Sequence, residues 1–332
     1  MIDELDLALV DALRVDPRAP WSRLAAPLGV DPATLSRRWA RLTANGDAWV
    51  TCYPSADRIG RGLTALVQVD CPADRVGAVA AAVARHPQTA SIELVTGDAD
   101  LLLTVAAYDH GSLTSYLLER LGAVPGVLRT RTSLVERTLV EGSRFSNGAL
   151  DAEQRRAIAA PPPPGATRPV ADRQVEEDLA LIRALGADGR MPYAELSART
   201  GLPASTVRRR LAELRDSGRA VLRCDASPRV TGHPVGAMLW LDVLPADLPD
   251  AVRRLTALPQ TRMCAVTVGP ANLALYLIAP QLPDLRRIEQ DLAHHHPAVR
   301  VHDRHVTLRT PKLVGHLLTA DGRRTGYVPI EP

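Results

Sequence analysis

The feature that most constrains this chain is a gapless internal repeat. The stretches "RLAAPLGVDPATLSRRWARLTANG" at 23–46 and "ELSARTGLPASTVRRRLAELRDSG" at 195–218 are two versions of one pattern, 172 positions apart. The same register carries far beyond them. Asp6 meets Asp178, Arg18 meets Arg190, Arg38 meets Arg210, Cys52 meets Cys224, Gly97 meets Gly269 and Pro125 meets Pro297. A unit of about 140 residues is therefore present twice, and one fold must serve both copies. Between the copies, residues 151–172 include "AAPPPPGATRP". Proline favours extended polyproline II, so an exposed, semi-rigid spacer is expected there rather than a Pro-rich ligand for a partner domain.

Each unit begins with helical spacing. Ile2, Leu5, Leu9, Ala12 and Leu13 share one face, and a second helix is expected over 22–28. Gly29 supplies a permissive turn, Asp31 a cap and Pro32 a first helical position. The third helix runs to about Asn45, where Gly46 stops it. Leu35, Trp39 and Leu42 form its inward stripe, and a short strand expected over 48–53 follows as a wing. The second part of the unit has a different rhythm: strands at 63–70, 91–96, 101–107 and 127–139, with helices at 74–85 and 112–121. That order, βαββαβ, is a ferredoxin-like split βαβ, and its copy runs from Ala237 to about Thr310. The fold class expected is α+β.

Composition excludes more than it selects. The 332 residues are 46% hydrophobic and 23% charged, with a net charge of +3. This is ordinary globular material in at least two domains, without the basic excess of a histone-like protein. Lys312 is the sole lysine. The first helical segment (1–50) has six Arg against seven acids, net −1; the second (173–223) has ten against seven, net +3. The second should bind phosphates more strongly. Cys52, Cys71, Cys224 and Cys264 form no CxxC pair and read as buried reduced thiols. Asp3, Glu4 and Asp6 argue against a signal peptide, and the uncharged run 263–283 is punctuated by Gly269, Pro270, Asn272 and Pro280, as two strands and a turn rather than a membrane span. No membrane association is expected, and the location expected is cytoplasmic.

A helix–turn–helix followed by βαββαβ with a Gly-x-x-Asp turn resembles the Lrp/AsnC family of bacterial transcription regulators. The residues that carry the resemblance are "LDLALVDALRVDPR", "RLAAPLGVDPATLSRRWARLTANG", "VTGDADLLLTV" and "VPGVLRTRTSLV". The resemblance implies winged helix–turn–helix domains at 1–55 and 175–227 and ferredoxin-like effector domains at 61–142 and 233–312. A Pro-rich linker at 143–174 and a tail at 313–332 complete the expected organisation. It further implies double-stranded DNA and a small effector, commonly an amino acid, as partners, no cofactor, and a nucleoid-associated protein. Family effector domains pair into dimers that often assemble further. A doubled chain departs from the single-unit pattern, so its two effector domains are expected to pair with each other, with further association of whole chains.

Arginine on a recognition helix can reach both phosphates and base edges. The residues expected to contact DNA are Thr34, Ser36, Arg37, Arg38 and Arg41 in the first unit, with Arg38 flanking the core. In the second they are Ser205, Thr206, Arg208, Arg209 and Arg210. The bland alternative is a solvated helix face. Pro203 replaces the capping Asp31, so that cap must come from elsewhere. The effector turn comprises Thr96, Gly97, Asp98 and Asp100, which become Val268, Gly269, Pro270 and Asn272 in the second copy; Gly269 and Asn272 are its candidates there. A carboxylate at Asp100 can hold an ammonium group, or it can bond its own turn. His294, His295 and His296 read as a solvated helix end rather than a metal site. Trp21, Trp39, Tyr193 and Trp240 read as core.

A rival class is enzymatic. The same two-part unit resembles the siroheme-decarboxylase branch of the superfamily, which carries His, Tyr and Arg in the strand pair corresponding to 91–105 and 262–277. Those stretches contain no His here. A third reading is an effector-binding partner protein whose helix–turn–helix domains no longer touch DNA.

Overall fold

The structure is a computed structural model that describes residues 2–55, 59, 62–159 and 172–331. In the first unit, α1 (Glu4–Val15), α2 (Trp21–Leu28) and α3 (Pro32–Ala44) form the helical part. Gly29 ends α2 at φ 67, and the Asp31 side chain accepts from Thr34 N, capping α3. Then come β1 (Ala48–Pro54), β2 (Leu63–Asp70), α4 (Val76–Val83), β3 (Thr89–Val95) and β4 (Leu101–Ala107). α5 (His110–Ser115) runs into a π-helical turn at Tyr116–Leu121, and β5 (Arg129–Val140) completes the unit.

The segment expected as an exposed spacer is partly folded. Its first part forms α6 (Ala152–Ile158), which buries Ile158 completely in the helical core. The Asp11 carboxylate accepts from the backbone N–H of Asn147 and Ala149, at 3.0 and 2.9 Å, and fixes the approach to α6. A buried carboxylate with several donors is a strong local anchor. The proline run itself lies outside the described residues.

The second unit repeats the order. It has α7 (Asp172–Gly186), α8 (Tyr193–Thr200), α9 (Ala204–Asp216), β6 (Ala220–Ala226), α10 (Pro228–Thr231), β7 (Val235–Val243) and α11 (Leu248–Ala257). β8 (Thr261–Val268), β9 (Leu273–Ala279), α12 (Leu282–His295) and β10 (Val299–Leu313) follow. The final residues, expected as a tail, form β11 (His316–Leu318) and β12 (Arg324–Tyr327), which extend the sheet beyond β10. Arg324 N donates to Gly46 O, so this hairpin also touches the end of the first helical domain.

Within each ferredoxin-like half the strand order is second, third, first, fourth: β3-β4-β2-β5 and β8-β9-β7-β10. β5 pairs with β8, and β10 pairs with both β7 and β3. The eight strands therefore close into one barrel within a single chain, and closure removes the exposed edges. Leu134 opposite Val268 has its repeat counterpart in the bond from Thr96 N to Val306 O, so the two seams are related by a pseudo-twofold axis. The outer faces of the sheets pack on their own helices; Leu66, Leu102, Met238, Trp240 and Ala274 meet on the inner faces.

The helical domains also share one core. Leu9, Leu13, Leu24 and Leu35 from the first pack in the same cluster as Leu181, Leu185, Leu196 and Leu211 from the second. The strand after each third helix pairs with its counterpart in the other unit, from Ala48 opposite Ala226 to Pro54 opposite Ala220. A domain of this size buries a modest core by itself, and pairing enlarges it.

Candidate nucleic-acid interface

α3 and α9 place the expected contact residues in two groups. The stripes Leu35, Trp39, Leu42 and Val207, Leu211, Leu214 face inward. This leaves Ser36, Arg37, Ser205, Arg208 and Arg209 exposed. Arg37 makes no hydrogen bond or ion pair among the described residues. Arg209 pairs with Glu213 at 2.8 Å across one helical turn in the open, an interaction worth only about 0.3–0.5 kcal/mol and easily exchanged for a phosphate. Arg208 lies over the Tyr193 ring, 5.1 Å from its centroid.

The other arginines are ion-paired to buried carboxylates, although Arg41 stays exposed. Arg38 binds the buried Asp6 at 3.0 Å as well as Asp3, and Arg41 also reaches Asp6, at 2.5 Å. In the second unit Arg210 reaches Glu177 at 2.7 Å and Asp178 at 3.5 Å, while Arg219 holds Asp178 at 2.9 Å. The repeat identities Asp6/Asp178 and Arg38/Arg210 are thus one ion pair used twice, tying each recognition helix to the first helix of its unit. Thr34 is also engaged, its hydroxyl donating to Asp31 at 2.7 Å. Its counterpart Thr206 is half-buried. Pro203, at the cap of α9, makes no side-chain cap bond.

A second repeated pair, Arg18 and Arg190, locks the two units together. Arg18 donates to Gly189 O and Met191 O, at 2.5 and 2.9 Å; Arg190 donates to Pro17 O and Ala19 O, at 2.7 and 3.0 Å. Each guanidinium also sits on an aromatic ring of the other unit, Arg18 on Tyr193 and Arg190 on Trp21. Trp21 and Tyr193 are therefore half-buried platforms at the edge of the helical core, whereas Trp39 is buried in that core and Trp240 in the barrel interior. The identity of Arg18 with Arg190 was the available signal; that their carbonyl partners lie in the opposite unit was not visible.

The two expected effector turns lie at the barrel seams. Gly97 has φ +100, and a Cβ there would lie 2.9 Å from both Arg304 O and the His305 ring. Gly269 meets Ser133 in the same way, so both turns are pressed against the opposite half. Thr96 Oγ1 accepts from Val306 N at 3.1 Å. Asp98 O accepts from Arg131 at 2.5 Å. The Asp100 carboxylate accepts from Cys71 N at 2.7 Å, and Asn272 makes the equivalent bond with Val243 N at 3.0 Å. A carboxylate and an amide thus perform the same turn-fixing task.

Between the paired helical domains and the inner faces of the barrel lies a cavity of about 1300 Å³. Arg223 and Arg262 line it and share Asp225, at 2.8 and 2.5 Å. Burial pushes the Asp225 carboxyl up, but the two guanidiniums outweigh this and hold it below its ordinary value. Burial and the neighbouring Arg223 bring Arg262 down to about 10, so it stays charged near neutrality. Glu93, also lining the cavity, is pushed up to about 8 by burial, against the pull of Arg262 and Arg223. Tyr53 and Ser143 both donate to Glu141 at the cavity wall. All four cysteines are free and buried. His294 and His295 are exposed at the end of α12, and no group of three or more His, Cys, Asp or Glu among the described residues could hold a metal ion. No helix among the described residues is long and apolar enough to cross a membrane.

Comparison with known proteins places these elements. Residues 2–43 and 176–215 match the AsnC-type helix-turn-helix domain, and residues 64–145 match the Lrp/AsnC ligand binding domain. The chain is 31% identical over 140 residues to the HTH-type transcriptional regulator AldR of Mycolicibacterium smegmatis, covering 40% of this chain and 81% of that protein. It is 33% identical over 115 residues to an uncharacterized HTH-type transcriptional regulator of Pyrococcus abyssi, covering 34% and 72%. Among solved structures, siroheme decarboxylase NirDL in complex with an iron-uroporphyrin III analogue has a TM-score of 0.58 at 15% identity, covering 90% of this chain and 88% of that one. That likeness is one of fold, and it spans both units. With both helix–turn–helix segments and the ligand binding domain matched, the chain is a member of the Lrp/AsnC family, carrying the family's unit twice.

Proposed function

We propose that this protein is a DNA-binding transcriptional regulator in which one chain provides the pair of helix–turn–helix domains, and that it responds to a small organic effector. The observation that carries the reading is the fusion of the two helical domains through one core and one strand ribbon, with Ser36, Arg37, Ser205, Arg208 and Arg209 left outward on their third helices. The ladders β5–β8 and β3–β10 support the companion inference that the effector domains pair within the chain and substitute for a family dimer. Whole chains associating further, an amino acid held at the turns around Asp100, and a cytoplasmic, nucleoid-bound protein are the finer parts of the proposal.

The two recognition faces differ: Ala33 against Ser205, Ser36 against Arg208, Arg41 against Glu213. The operator is therefore expected to have two unlike half-sites. Selection from a random duplex pool tests this, and recovery of a perfect palindrome would count against it. The regulator reading itself is tested by titrating duplex DNA at several salt concentrations. Arg37→Ala, Arg208→Ala and Arg209→Ala should each reduce the salt slope by about one. Failure to bind any duplex in 50 mM salt would overturn the reading.

A second reading, tetrapyrrole chemistry, has one observation in its favour. Arg262 and Tyr276, from a strand pair where the decarboxylase branch carries Arg and Tyr, both line the large cavity. Absorbance titration with iron-uroporphyrin III tests it; no spectral change removes it.

A further inference from the structure

The cavity between the helical pair and the barrel has the dimensions and chemistry of a ligand site, and it differs from the turns in every respect. At about 1300 Å³ it exceeds the 300–1000 Å³ of ordinary small-molecule pockets and is far larger than an amino acid requires. Leu66, Leu102, Met238 and Met263 from the barrel and Trp49 from the helical pair give it apolar surface. Eight arginines line it against four carboxylates, and Arg14, Arg223 and Arg262 are the ones set deep in its wall. Glu93 does not correct the balance, because its carboxyl keeps its proton near neutral pH. Arg223 is 8% exposed at its side chain, and its Nη2, enclosed beside Gly142, has no hydrogen-bond partner until the side chain turns toward the cavity. A buried guanidinium with an unused donor is costly unless something accepts from it. Phe145, the only phenylalanine in the chain, sits beside both Arg14 and Arg262, 5.3 and 5.8 Å from its centroid, and holds them at the wall.

We infer that this cavity binds an amphipathic organic carboxylate, with the carboxylate at Arg223 and Arg262 and the apolar body against Leu102, Met238 and Met263. Arg223 belongs to β6, the strand that joins the two helical domains; Arg262 belongs to β8 of the barrel. A carboxylate taken by both bridges the two layers. The ligand thereby reaches the helix–turn–helix pair directly, without passing through the seam turns. This deepens the regulator reading by naming the class of effector and rests on it only for the effect on DNA; the binding step stands without it.

The probe is laurate, with dodecanol as its uncharged counterpart, each competing against the fluorescent aromatic sulfonate 1-anilinonaphthalene-8-sulfonate on the full chain. Saturable dye binding is expected at one site, with displacement by laurate at least tenfold tighter than by dodecanol. Arg262→Met keeps side-chain bulk while removing the charge and should weaken laurate at least tenfold. Leu102→Trp fills the cavity without touching an arginine and should also weaken it at least tenfold; thermal melts of both variants establish folding. Absence of saturable binding, equal displacement by laurate and dodecanol, or laurate affinity unchanged in a folded Leu102→Trp would each overturn the site. DNA titration with and without laurate is read separately. A shift of threefold or more supports the coupling, and no shift overturns the coupling while leaving the site. Loss of DNA binding in the absence of laurate would instead refute the regulator reading.

Discussion

Replacing Glu93 with Gln should stabilise the protein, and only above weakly acidic pH. Glu93 is 9% exposed, on β3, facing the cavity. Burial raises its carboxyl from 4.5 to about 8, while Arg262 and Arg223 pull the other way. Below pH 4.5 the group is protonated both folded and unfolded, so it contributes no pH dependence. Between 4.5 and about 8 the unfolded chain releases the proton while the folded chain keeps it, and stability falls as pH rises. Above about 8 both forms ionise and the slope ends. Each tenfold change in proton affinity is worth about 1.4 kcal/mol, so the full loss is on the order of 5 kcal/mol. Glutamine has the same shape and no proton to lose, so the variant should match the wild type near pH 4.5 and exceed it at pH 8. With about 2–4 °C per kcal/mol for a protein of this size class, the expected gain in Tm at pH 8 is roughly 8 °C or more. The assay is thermal unfolding of both proteins in a buffer series from pH 4.5 to 8.5. Parallel pH profiles, or a Gln variant less stable than wild type at pH 8, would refute the claim that burial dominates over the two arginines.

Three further outcomes separate binding from folding. Arg38→Ala and Arg210→Ala should each lower stability by about 1.5–3 kcal/mol in chemical unfolding, because they strip one of two arginines from the buried Asp6 or Asp178 while Arg41 or Arg219 stays in place; Arg37→Ala and Arg209→Ala should change it by less than about 0.5 kcal/mol. Gly97→Ala should cost at least 1–2 kcal/mol, since its positive φ and the 2.9 Å approach to Arg304 O both oppose a Cβ, whereas Gly29→Ala, with open space around it, should cost about 1 kcal/mol from the left-handed backbone alone. Asp100→Asn should retain the bond to Cys71 N, as Asn272 does at its own site, and leave stability within about 1 kcal/mol; calorimetric titration with amino acids then shows whether the carboxylate has a ligand role, which requires that the same substitution abolish binding.

The repeat, the helix boundaries and the order βαββαβ were legible in the chain because they rest on local rules. Leu35, Trp39 and Leu42 share a stripe wherever the helix is placed, and Gly29 and Asp31 act on their immediate neighbours. The spacer and tail are more ordered than their local composition predicts, because distant partners outvote it. Ile158 is buried by the first helical domain, and the final hairpin is ordered by β10 and by the loop at Gly46. The candidate interface divides along the same line. Exposure of Arg37 and Arg209 follows from helix phase, but the commitment of Arg38 and Arg210 depends on carboxylates 32 positions away. Only the tertiary structure closes the barrel through β5–β8 and β3–β10, and only that closure, set against the ribbon of β1 and β6, brings Arg223 and Arg262 to one carboxylate across a shared cavity. Strand pairing depends on partners far apart in the chain, and the proximity of charges on two such strands has no local periodicity to announce it.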